Sequence, residues 1–160
     1  MNKTNAARIL DVNKIHYELV NYIVDENDLS AVNVSKKLGQ NVKQVFKTLV
    51  VKGDKNGIFV CVVAGDAEID LKKAAKVSGN KNAELIAVKD IMKITGYVRG
   101  GCSPLGMKKN YPVFIDLSCK HFDFIYISAG IRGMQIKISP QDLTDVLKAG
   151  AADLTHMQGG

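Results

Sequence analysis

Residues 45–51 and 58–64 are nearly unbroken apolar runs separated by Asp54-Lys55-Asn56-Gly57. Runs of this length, rich in Val and Ile and joined by turn residues, predict a β-hairpin. Because neither run alternates cleanly with polar residues, both faces of the hairpin are expected in a core, at the centre of a sheet. Lys47 breaks the pattern. A lysine within such a strand lies at an edge, snorkels to water, or faces a site.

Around the hairpin the period changes several times. Residues 4–12 predict a short helix capped by Thr4, with Ala6, Ile9 and Leu10 on one face. Residues 17–23 alternate as a strand that ends near Tyr22. A second helix starts at Asp28-Leu29-Ser30 and stops at Gly39, and a third is capped by Asp70 and ended by Gly79. Residues 83–88 read as a short strand and 90–95 as a short helix. Residues 113–116, 124–128 and 134–138 read as strands, the last two joined by the turn at 129–133. Ser139-Pro140 opens a final helix reaching about Lys148, with proline at its first position. Helices and hairpins in this mixed order predict an α+β fold on a largely antiparallel or mixed sheet. Residues 1–150 are expected to form one domain and 151–160 a flexible tail.

Composition narrows the class. The chain has 160 residues, 46% of them hydrophobic and 24% charged, enough for one globular domain with a core. There is no apolar run long enough for a membrane span, and no apolar signal region follows Met1, so a cytoplasmic protein with no membrane partner is expected. Three scattered cysteines and three scattered histidines give neither a disulfide framework nor a zinc pattern. Any catalysis is therefore expected to need no cofactor. The net charge of +6 suits a polyanionic partner. However, the chain lacks tryptophan and an RNA-binding aromatic motif, and DNA is not expected as a partner.

The stretch from Thr95 to Gly106 holds four of the fourteen glycines and one of the three prolines. Glycines let a backbone bend sharply and approach a ligand, and Pro104 stiffens the bend. Such a loop is either a tight connection or a lining of free amides for a small polar molecule. Four features could converge on one site: Lys47, Tyr22, the loop Gly100-Gly101-Cys102-Ser103 and the turn Ser128-Ala129-Gly130. Cys102 reads as a packing or lining residue, since no histidine lies near it in sequence. Lys43, Lys72, Lys73, Lys76, Lys108 and Lys109 could form a collar for phosphates, or simply a solvated face. Neither a Walker loop nor a G-x-G-x-x-G spacing is present.

Five segments in order carry a resemblance: Phe46-Lys47-Thr48-Leu49, Leu71-Lys72-Lys73-Ala74-Ala75-Lys76, Thr95 through Gly106, Ser128-Ala129-Gly130-Ile131-Arg132-Gly133 and Ser139-Pro140-Gln141-Asp142-Leu143. Over nearly the whole chain these are similar to the YbaK/EbsC family, and within it to the YbaK-type Cys-tRNA(Pro) deacylases. Those proteins resemble the editing insertion domain of bacterial prolyl-tRNA synthetases. The resemblance implies a single domain with a curved mixed sheet flanked by helices. It implies a trans-editing deacylase that removes cysteine from Cys-tRNA(Pro), and also from Cys-tRNA(Cys), with no cofactor. The attacking group would be the substrate's own thiol, leaving a cyclic thiolactone. Lys47 would be the essential catalytic residue. Tyr22, Phe46, Thr48, Gly100, Gly101, Ser103, Ser128 and Gly130 would contact the substrate. The partners implied are the acceptor 3′ end of tRNA(Pro) and prolyl-tRNA synthetase. Two other readings stay open: a water-dependent Ala-tRNA(Pro) deacylase of the same superfamily, and a non-catalytic binding or regulatory module.

Overall fold

The computed structural model describes residues 3–156. Helix α1 (Asn5–Val12) starts where Thr4 Oγ1 accepts from the Ala7 amide at 3.2 Å. Strand β1 (Glu18–Asn21) follows, then α2 (Ala31–Leu38), capped by Ser30 at one end and by left-handed Gly39 at the other. The expected hairpin is β2 (Phe46–Gly53) and β3 (Gly57–Ala64), paired antiparallel along its full length. Helix α3 (Leu71–Val77) starts from the Asp70 carboxylate, which accepts from the Lys72 and Lys73 amides. Then come β4 (Ala83–Leu85), α4 (Ile91–Thr95), β5 (Val113–Asp116), β6 (Ile125–Ser128), β7 (Met134–Ile138), α5 (Pro140–Leu147) and β8 (Gly150–Ala152).

The strands form two hydrogen-bonded sets, ordered β4-β2-β3-β5-β8 and β1-β7-β6. The β3–β5 and β5–β8 pairs are parallel and the other pairs antiparallel, so the fold is α+β with mixed pairing. One parallel bridge, Val45 to Tyr126, brings β6 alongside the start of β2 and links the two sets. Between the two sets lies the main core. Phe46, Val60 and Val62 from one set meet Ile125, Ile127, Ile136 and Ile138 from the other, closed by Leu10 of α1 and Leu143 of α5. Outside, α2 covers Tyr126 and Val45, while Val51, Phe59, Cys61 and Val63 pack against Ala74 of α3.

Two strand expectations shorten. The strand expected at 17–23 ends at Asn21, and Ile23 is exposed. The strand expected at 83–88 ends at Leu85 and passes into a helical turn.

The expected flexible tail is corrected for residues 151–156. Strand β8 includes Ala151 and Ala152 and pairs with β5, and Thr155 bridges to Ile69. Leu154 is fully buried; its amide donates to Asp116 Oδ1 at 2.9 Å, and its carbonyl accepts from the Asp70 amide at 2.8 Å. A single large apolar residue finding a gap beside α3 decides the matter, and a composition window of small and polar residues conceals it. Residues 157–160 of the expected tail lie outside the described residues. Among those described, no helix is long and apolar enough to cross a membrane.

Candidate active site

Strands β2 and β6 share one bridge and then part, and a cavity of about 440 Å³ opens where they separate. Its geometry follows from strand register. Paired residues point to the same face, and the residues two further on share that face. Beyond the Val45–Tyr126 bridge, Lys47 and Ser128 therefore come next on the outer face. Ser128 in turn pairs with Gln135 across β6 and β7. Lys47, Ser128 and Gln135 thus form a row across three strands, and all three line the cavity. Ala31 and Val34 of α2, the loop residues Asn27, Asp28 and Leu29, and Arg99, Gly100 and Cys102 of the glycine loop enclose it.

Lys47 is half-buried, and its ammonium donates to the carbonyl of Ala67 at 2.7 Å and of Gly65 at 3.2 Å. Both acceptors sit in the bend that follows β3. An ammonium has three donors, so one remains for a ligand. Burial lowers the Lys47 pKa below the ordinary lysine value, while the Asp66 and Glu68 carboxylates act in the opposite direction. The result is a fixed cation with an incomplete shell.

The other polar groups are also unspent. Ser128 Oγ accepts from the Gly130 amide at 3.1 Å, which leaves its hydroxyl proton free to point elsewhere. Gln135 is only 5% exposed, and its Oε1 is buried with no hydrogen-bond partner. Thr48 Oγ1 is likewise buried and unpartnered. Unsatisfied buried oxygens are costly and call for a partner.

Cys102 lines the cavity, and burial pushes its thiol up to about 11. At neutral pH it is a thiol rather than a thiolate, which makes it a poor nucleophile. None of the lining residues is a histidine. Hydrogen bonding from the Ser30 hydroxyl, and then from the Ser30 amide at 3.1 Å, holds the Asp28 carboxyl below the usual range, so it is a weak base. Among the described residues no three His, Cys, Asp or Glu side chains converge as a metal would require.

Of the residues singled out in the sequence, Phe46, Lys47, Thr48, Gly100 and Ser128 come together in the lining. Four others stand behind it. The Gly101 amide donates to the Val98 carbonyl, and a β-carbon added at Gly101 would meet the Ile131 and Arg132 backbone at 3.2 Å. Ser103 is buried, with its hydroxyl turned to the Leu105 amide. Gly130, at φ +106°, leaves room for the Tyr97 ring, which a β-carbon would meet at 3.0 Å. Tyr22 packs beside Val34, Val45 and Tyr126 and donates its amide to Gly133. The lysine collar does not assemble here. None of its six members lines this cavity; Lys43 pairs with Asp66, and Lys73 with Asp153. Nothing in the sequence singles out Gln135, because Met134-Gln135-Ile136-Lys137 alternates and reads as a solvent face. Only the pairing with Ser128 shows that this face is covered.

The cavity thus combines one fixed cation with several unspent hydrogen-bonding groups on an α+β wall, an arrangement suited to a small polar group. Comparisons with known proteins make the class specific. Residues 25–146 match the model of the aminoacyl-tRNA editing domain. The chain is 42% identical, over 96% of its length and 93% of the relative's, to EbsC of Enterococcus faecalis, provisionally named a Cys-tRNA(Pro)/Cys-tRNA(Cys) deacylase. Over 58% of its length it is 29% identical to a stretch making up 16% of the proline–tRNA ligase of Brachyspira hyodysenteriae. A solved structure described, provisionally, as a trans-editing enzyme for prolyl tRNA synthetase superposes with a TM-score of 0.82. That match covers 97% of this chain and 99% of the other at 23% identity, and it speaks to the fold alone. The chain belongs to the aminoacyl-tRNA editing domain family.

Proposed function

We propose that this protein is a cytoplasmic trans-editing deacylase that cleaves cysteine from Cys-tRNA(Pro), and also from Cys-tRNA(Cys), with the substrate's own thiol as nucleophile. The observation that carries this reading is the cavity's combination of one fixed ammonium with no protein group able to attack or to activate water. Lys47 is the cation, Cys102 is protonated, Asp28 is a weak base, and no histidine lines the cavity.

In the reaction, the substrate thiolate attacks its ester carbonyl and a carbon–sulfur bond forms. The carbonyl–oxygen bond to the terminal ribose breaks, the ribose oxygen takes a proton, and a thiolactone departs. A free thiol titrates near ~8.5, so some thiolate is present at neutral pH. Holding it against the carbonyl supplies effective molarities of order 10⁵–10⁸ M. The free donor of Lys47 binds the terminal adenosine and stabilises the leaving oxygen. Gln135 Oε1 and the Ser128 hydroxyl orient the aminoacyl group, with the ammonium of the amino acid satisfying the orphaned oxygen. Phe46, Thr48 and Gly100 shape the hollow. Tyr22, Gly101, Ser103 and Gly130 hold that shape from behind.

Such an activity answers a physical limit. A site that distinguishes side chains differing by about a methylene gains only ~1–3 kcal/mol, so a synthetase built for proline also charges cysteine. Choice of tRNA(Pro) is assigned to a complex with prolyl-tRNA synthetase, which co-purification in the presence of tRNA tests.

The deciding experiment is deacylation of a panel of charged tRNAs by the purified protein. Cys-tRNA(Pro) is expected to be cleaved and Ser-tRNA and Ala-tRNA(Pro) to survive, since neither carries a thiol. Cleavage of Ala-tRNA(Pro) at a matching rate points instead to attack by water, and cleavage of none to a binding module. Cys102→Ser is expected to keep most of the wild-type rate, measured on the same Cys-tRNA(Pro). Inactivity of that variant, together with cleavage of the seryl and alanyl substrates, makes Cys102 the nucleophile and ends the substrate-thiol reading.

A further inference from the structure

Two segments without regular secondary structure bring residues to the cavity, 25–30 and 99–102, and a third, the turn that begins after Ser128, joins the strands that carry Ser128 and Gln135 to it. One side chain ties all three. From the turn, Arg132 donates Nε to the Arg99 carbonyl at 2.8 Å and Nη1 to Glu26 Oε2 at 2.7 Å. Its guanidinium also lies against Gly100, where an added β-carbon would meet Arg132 Nε at 3.3 Å and the Leu29 side chain at 3.2 Å. Gly100, at φ +84°, is thus sandwiched between the arginine and Leu29, and both Gly100 and Leu29 line the cavity. Arg132 does not line it.

We propose that Arg132 is a positioning residue that sets the width of the cavity by locking the 25–30 loop and the glycine loop to the β6–β7 turn. A guanidinium suits this role because its planar fork presents donors in two fixed directions, whereas an ammonium is a point charge. Removing the fork leaves Lys47 and its two carbonyls untouched and frees two walls of the notch. Substrate binding is then lost before chemistry, because the reacting row stays in place on β2, β6 and β7.

This inference rests on the deacylase reading for its kinetic arm only. In steady-state deacylation of Cys-tRNA(Pro), Arg132→Ala is expected to raise KM roughly tenfold while kcat falls less than about threefold. Arg132→Lys is expected to recover only part of that loss, and Glu26→Gln, which spares the bond to Arg99, to cost about twofold. In hydrogen–deuterium exchange without substrate, Arg132→Ala is expected to speed exchange within 25–30 and 99–102 and nowhere else. Full recovery by Arg132→Lys, an unchanged KM, or exchange that rises throughout the chain overturns the proposal. If the wild-type protein deacylates no charged tRNA, the functional reading fails and the exchange experiment still decides the clamp.

Discussion

Lys47→Ala is expected to slow deacylation of Cys-tRNA(Pro) by roughly 10²–10³-fold, the usual effect of removing a single fixed donor from a site of developing negative charge. That corresponds to about 2.7–4 kcal/mol of transition-state stabilisation. The size follows from how the ammonium is held. Two carbonyls of the 65–67 bend fix it before substrate arrives, so no reorganisation is needed when the ribose oxygen leaves. Lys47→Arg is expected to rescue little, because the larger fork cannot enter the same pair of carbonyls with one donor to spare.

The pH dependence carries a second signature of the same residue. Rate is expected to rise with pH as the substrate thiol ionises, then to fall as Lys47 loses its proton. Burial lowers the Lys47 pKa, so the fall comes at a lower pH than for an ordinary lysine. The same shift means that keeping the ammonium buried works against folding below its folded-state pKa, a cost relieved as pH rises through that value. Lys47→Met is expected to lose the falling limb. A Lys47→Ala protein working at the original rate would refute the assignment, and a Lys47→Met profile that still falls at high pH would assign that limb to another group.

Leu154→Ala is expected to lower the unfolding free energy by about 2–5 kcal/mol, as for other fully buried leucines truncated in a core. Leu154 packs with Val51, Phe59, Cys61, Val63, Ile69 and Ala74, all buried. Leu117→Ala, at a position 42% exposed, is expected to change stability by less than about 0.5 kcal/mol and serves as the control. Urea denaturation of both variants measures the contrast. Equal midpoints would show that the 150–156 segment adds nothing to the folded state.

Hydrophobic patterning made most of the fold legible. The β2–β3 hairpin, the caps at Thr4, Asp70 and Ser139, and the β6–β7 turn all lie where residue types placed them, because each depends on local chemistry. The site was legible where a residue broke its local pattern, as Lys47 does within an apolar strand. It was illegible where meaning comes from a distant neighbour. Gln135 alternates like any surface strand residue until Ser128 is set beside it. Arg132 looks like an ordinary turn arginine until residues 26 and 99 are brought to its two edges. Leu154 is one apolar residue in a polar stretch, and only the gap next to α3 makes it core.

The bend that carries the Gly65 and Ala67 carbonyls continues into residues 68–70, which the 154–156 segment fastens through the Asp70, Leu154 and His156 backbone. Translation delivers that fastening after every residue lining the cavity has been made. A nascent chain that has emerged only as far as α5 holds the whole lining but lacks the backbone bonds that brace the Lys47 acceptors.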